Sequence, residues 1–167
     1  VLSTLHTNSA AGAMPRLLDM KVEPFLLVST LDVVIGQRLV RRLSDLKQQY
    51  KLTKAELAQL EKIVDLNRVL AVLKEEKIVK ASDDWNTISF WKAISGPDDD
   101  GFKSRVGIHE VLTMSPSIKN LIMKNATSSE IEEQAKKEGM LTMLEDGIFK
   151  CVHGLTTIEE VLRVITD

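Results

Sequence analysis

The chain has 167 residues, 44% of them hydrophobic and 28% charged, with a formal net charge of -2. That length accommodates one medium domain or two small lobes, and the composition is that of a globular protein rather than a disordered one. The slight acidity speaks against a broad attraction for nucleic acid or anionic lipid. The longest apolar runs are far too short to cross a bilayer, and no positive-then-apolar leader opens the chain, so a cytosolic protein is expected, peripheral to a membrane at most.

In chain order, residues 1–7 are apolar and β-branched enough to predict a buried strand. Asn8 or Ser9 then serves as a helix cap before Ala10, Ala11, Ala13, Met14, Leu17 and Leu18 at helical spacing. Strand, polar turn and helix make half of a βαβ unit. Pro15 falls inside that helix and is expected to kink it, since it removes a backbone donor. Glu23-Pro24 opens a second helix reaching Leu31, with proline at its first position, and residues 33–43 alternate as a long strand.

From Ser44 the pattern becomes that of a charged amphipathic helix, with Thr53 and Glu56 spaced as a capping box and a further helix over residues 68–76. The β-branched and aromatic stretch WNTISFWKA (residues 85–93), the turn GPDDDG and the strand at residues 105–112 predict a hairpin-like insertion. Ser115-Pro116 starts a helix, Thr127 with Glu130 caps the next, which Gly139 stops, a third ends near Gly154, and Thr156 with Glu159 caps the last. These four are expected to form a small terminal bundle, so the fold class is α/β.

Chemistry-bearing residues are sparse. Cys151 is the single cysteine, which excludes an intrachain disulfide and reads as a small apolar filler on a helix. The histidines are scattered, and the acidic run of Asp98, Asp99 and Asp100 reads as a solvated turn. His6, beside Thr4, Thr7 and Asn8 at the carboxyl end of the expected strand, stands where open α/β sheets bind ligands. By composition alone a hydrogen-bonded structural histidine is the commoner reading.

Several separate blocks then match one family. STLHTNSAAGAMPRLLDM followed by VEPFLLVSTLDVVIGQRLVRRL resembles the stretch after the Walker B strand in secretion ATPases of the type II secretion and type IV pilus assembly group, including their His box. GFKSRVGIHEVL, IKNLI and EGMLTMLEDGIFKCVHGLTTIEEVLRV resemble the closing segments of the same family. The resemblance covers all but residues 45–97 or so.

This resemblance implies the C-terminal half of a RecA-like P-loop ATPase domain (residues 1–43), a small helix and hairpin lobe (44–105) at the family's metal-binding region, and a strand with a C-terminal helical subdomain (106–167). It implies ATP and Mg²⁺ as cofactors of the intact parent, with His6 near the γ-phosphate, Thr4 and Thr7 shaping its loop, and Arg38 at the nucleotide or a subunit interface. Arg38 reads equally as a strand arginine paired with an acid. None of the eight glycines is followed by lysine, so no phosphate-binding loop lies in this chain, and the isolated segment is expected to be inactive.

The family often holds zinc on two Cys-x-x-Cys pairs. Ser44, Lys47, Ile94 and Pro97 stand at those positions here, so no zinc is expected, and Trp85, Ile88, Phe90 and Trp91 with the helices over residues 57–73 can supply an apolar core instead. Ser104 and Lys21 stand where the family has glycine, which predicts a slightly different backbone there. SIKNLIMK reads as an amphipathic helix or as the force-transmitting motif of pilus retraction ATPases. The expected partners are other copies in a hexamer and an inner-membrane platform protein, with no nucleic acid, at the cytoplasmic face of the membrane. The rival reading is a non-catalytic module that docks on that platform or on another subunit.

Overall fold

Local capping signals decide most of the helices. In the computed structural model, which describes residues 1–97 and 99–166, α1 (Ala13–Asp19) and α2 (Pro24–Thr30) precede β1 (Val33–Leu43) and β2 (Lys47–Tyr50). Next come α3 (Lys54–Leu60), α4 (Leu66–Glu75), β3 (Phe90–Ala93) and β4 (Phe102–Thr113), followed by α5 (Pro116–Met123), α6 (Ser128–Lys137), α7 (Met143–Val152) and α8 (Ile158–Thr166). The Thr53/Glu56 and Thr127/Glu130 capping boxes both form, and Ser115 caps α5 ahead of Pro116. Each satisfies amide donors that the first helical turn leaves without an acceptor.

Strand pairing departs from expectation. Residues 1–7 join no strand and are exposed except for the half-buried Leu5. A β-branched run becomes a strand only where another edge accepts its ladder bonds, and both sheets are completed by other segments. The residues after Ser44, expected as helix, contain β2, which pairs antiparallel with β3 from Lys47 opposite Ala93 to Tyr50 opposite Phe90. The hairpin between residues 85–93 and 105–112 does not form. β4 pairs with β1 instead, antiparallel, with Ser44 N–H bonded to Gly101 C=O beyond one end and Met114 N–H to Asp32 C=O beyond the other. Two strands of eleven and twelve residues make a far longer ladder than the four-residue β3 offers.

Three local expectations are also corrected. Pro15 is the third residue of α1, where its missing N–H has no intrahelical acceptor to lose, so the expected loss of a helical hydrogen bond does not arise. The last helix is capped one residue later than its sequence suggests: Thr157 Oγ1 accepts from Glu160 N–H at 3.3 Å, while the Thr156 hydroxyl donates to Arg41 C=O at 2.8 Å. Lys21 and Ser104 do not relax the backbone. Both hold positive φ, 66° and 71°, the conformation that glycine adopts without strain.

The chain divides into two compact units. The first comprises Val1–Gln37 and His109–Thr142, where α2 packs on α5 and α6 packs on both α5 and α1. Its core is aliphatic: Met14, Leu112, Ile118, Ile122 and Ile131 are fully buried beside Ala10, Ala11 and Ala135. Ile118 and Ile122 face this core from SIKNLIMK, as an amphipathic helix requires.

The second unit comprises the described part of Arg38–Ile108 and the residues from Met143 onward. Of the four terminal helices, α5 and α6 belong to the first unit, α7 and α8 to the second. Trp85 stacks on Phe90 at 6.2 Å between ring centroids, and Trp85 Nε1 donates to Leu66 C=O at 3.2 Å. Leu60, Val69, Leu73 and Ile88 complete this apolar lobe, while Trp91 stays outside it, half-buried. Cys151 lies in the same core, and burial pushes its thiol pKa up, away from reactivity. No helix among the described residues is long and apolar enough to cross a membrane.

Candidate functional site

His6 is presented from a segment that is exposed at one end and rooted at the other. Thr4, His6 and Thr7 are all exposed, whereas Ala10, Ala11, Ala13 and Met14 are buried to 4% exposure or less. A run of turns connects the two ends. The Thr7 hydroxyl donates to Ser9 C=O at 3.0 Å, Ser9 Oγ accepts from Gly12 N–H at 3.0 Å, and Ala10 C=O accepts from Ala13 N–H at 3.2 Å. The helix cap expected at Asn8 or Ser9 is thus a turn closed by Ser9, with α1 beginning beyond it.

A residue that sequence reasoning missed holds the buried end of this run. Glu110, on β4 and only 5% exposed, accepts through Oε1 from the Ala10 amide. Gly36 on β1 makes room for it: a Cβ there would lie 2.8 Å from Glu110 Cγ and 3.3 Å from Ala10 N. The only sequence cue is a carboxylate at a position whose neighbours Ile108 and Leu112 are core residues.

Arg38 is half-buried on β1 and belongs to the other unit. Three residues further on, Arg41 centres a polar cluster. Its guanidinium reaches Glu160 at 2.5 Å and Asp100 at 2.9 Å and lies 4.2 Å from the Phe102 ring centroid, and Arg163 joins Glu160 at 2.9 Å. The two arginines hold the Glu160 carboxyl well below the usual range, at about 2, the Arg41 hydrogen bond being the largest cause. Asp98, the first of the acidic run, lies outside the described residues.

Of the four positions expected to lack zinc ligands, Lys47 lies in the β2–β3 pairing. Lys47 sits opposite Ala93, the neighbour of Ile94. Its ammonium donates to Gly154 C=O at 2.7 Å and lies 5.0 Å from the Trp91 ring centroid. A cation with a fixed carbonyl and a ring face under it thus occupies this corner of the lobe.

As donors, the exposed His6 imidazole and Thr4 hydroxyl suit phosphoryl oxygens, which take hydrogen bonds from neutral N–H and O–H groups, while the Thr7 hydroxyl is given to Ser9 C=O and so closes the turn. A divalent cation finds less: among the described residues no three His, Cys, Asp or Glu side chains are grouped to hold a metal ion.

Comparison with known proteins gives a consistent result. The family model for the type II/IV secretion system protein matches residues 1–163. Type II secretion system protein E of Xanthomonas campestris pv. campestris is 40% identical over 100% of this chain and 27% of its own length. The type IV pilus assembly ATPase PilB of Pseudomonas aeruginosa is 36% identical over 100% of the chain and 27% of its own length. For the type II secretion system ATPase E of Vibrio cholerae the figures are 35%, 100% and 30%. The chain thus spans less than a third of these relatives.

Proposed function

The chain belongs to the type II/IV secretion system protein family, and from that premise we propose that it forms the C-terminal part of a motor ATPase driving type II secretion or type IV pilus assembly. The observation that carries this reading is the rooted, outward-facing His6 segment, in a chain that matches its ATPase relatives from end to end. The reaction is phosphoryl transfer to water. ATP with Mg²⁺ supplies the transferable phosphoryl group and most of the neutralising charge.

His6 places an imidazole N–H at the γ-phosphate, where a preformed donor is worth more as charge develops than in the ground state. Thr4 and Thr7 shape the loop that carries it. This segment supplies the sensor and the lever, and the phosphate-binding loop belongs to other parts of the motor, so the isolated segment does not turn over ATP. The working assembly is a hexamer built on the RecA-like core, attached to the cytoplasmic face of the inner membrane through a platform protein.

The test is steady-state ATP turnover by the full-length protein carrying His6→Ala. Turnover is expected to fall about 100-fold, the scale for loss of one preorganised donor, with the hexamer intact by light scattering. Wild-type turnover in that variant rejects the role of His6 and leaves the segment as a docking module.

A further inference from the structure

We propose that Glu110 is a positioning residue: by gripping the Ala10 amide it fixes where His6 is presented. This rests on the reading of His6 given above. A carboxylate taken out of water is costly unless hydrogen bonds replace its hydration, and Glu110, 5% exposed, takes the Ala10 N–H into that role. Bonds between an ionised carboxylate and a backbone amide belong to the short, strong class.

The grip falls at the informative point of the chain. Ala10 precedes the first residue of α1, so no helical hydrogen bond fixes its amide. From Ala10 back to Thr7, the neighbour of His6, the path is short and turn-locked, through the Ser9 hydroxyl and carbonyl and the Thr7 hydroxyl. A shift of the Ala10 amide is therefore passed to His6 rather than absorbed.

Gly36 supports the same reading. Its missing side chain is the space through which the Glu110 carboxyl reaches Ala10, since a Cβ would lie 2.8 Å from Cγ and 3.0 Å from Oε1. A glycine in mid-strand weakens the strand, and close approach of another group is a common reason for one. Two strands thus combine, β4 bringing the acceptor and β1 the clearance.

The experiment has two readouts. In the full-length protein, Glu110→Ala is expected to lower kcat for ATP about 10-fold or more with KM within about twofold, because misplacing a reacting group acts on the chemical step. Glu110→Gln, whose amide oxygen still accepts from Ala10, is expected to recover most of that loss. The double variant His6→Ala/Glu110→Ala should be no slower than His6→Ala alone.

By NMR of the 167-residue chain, Glu110→Ala should move the Ala10 amide proton upfield and lower the backbone order parameters of residues 6–9, with Glu110→Gln close to wild type. Unchanged order parameters overturn the proposal, and so does an additive loss in the double variant. If His6→Ala keeps full turnover, the reading of His6 has failed, and the order parameters alone decide whether Glu110 positions the loop. Should Glu110→Ala not fold, Gly36→Ala displaces the same carboxyl, and wild-type order parameters and turnover in that variant overturn the proposal.

Discussion

In the unit built from Arg38–Ile108 and the last two helices, the buried carboxylates Glu145 and Glu160 meet arginines, and Glu160 also accepts from the Arg41 amide; in the unit that carries His6, the buried Glu110 accepts from the Ala10 amide. The cores differ in the same sense. The arginine-rich unit packs Trp85, Phe90 and Tyr50 among its aliphatic residues, while the His6 unit is built from alanine, methionine and branched aliphatic side chains. Pairing a buried carboxylate with arginine ties distant elements together; pairing it with an amide fixes the place of one stretch of backbone. One unit thus combines an aromatic core with arginine pairs, and the other rests on an aliphatic core.

The largest effect that could break this contrast is expected from Phe90→Ala. The ring is 1% exposed, and its removal should cost about 3–5 kcal/mol through lost burial and the remaining cavity. Both tryptophans, Trp85 and Trp91, belong to the same unit, so tryptophan fluorescence in urea reads that unit specifically. A loss below about 1 kcal/mol would mean that the aromatic lobe contributes little cohesion.

Glu160 sharpens the comparison through pH. Its folded pKa, about 2, lies below the ordinary value of 4.5, so it stabilises the folded state fully above pH 4.5, and the contribution is lost as the pH falls toward about 2. The shift corresponds to about 3 kcal/mol. Glu160→Ala should be less stable than wild type by that order at pH 7, with the gap closing near pH 2. A gap that persists undiminished at pH 2 would show that the variant loses packing rather than charge.

The smallest effect concerns the backbone. Ser104 holds φ at 71°, so Ser104→Gly should raise stability by about 1 kcal/mol through relief of that strain. A loss of stability on that substitution would mean that the Ser104 side chain contributes more than its backbone costs.

The parts legible in the sequence are those decided within one helical turn. Thr53/Glu56, Thr127/Glu130 and Ser115-Pro116 are complete signals in themselves, and all three form. The last cap shows the limit. Thr156–Glu159 and Thr157–Glu160 are equally good boxes in sequence, and the choice is made by Arg41, whose carbonyl takes the Thr156 hydroxyl and whose guanidinium takes Glu160. Strand partners were illegible because nothing local in KQQY or FWKA specifies the other. His6 and its neighbours were found through a motif, while Glu110 was not, because its partner Ala10 lies 100 residues away and the bond exists only once β1 and β4 have paired.

The burial of Cys151 gives the molecule an internal clock. The residue is 1% exposed, and its thiol pKa is raised by that burial, so a maleimide in solution meets no thiolate while the fold is closed. Reaction must wait for an opening that admits water. Because this is the single cysteine of the chain, the rate at which label accumulates, at maleimide concentrations where reaction outpaces reclosing, counts those openings one at a time and measures the lifetime of the closed state of that core.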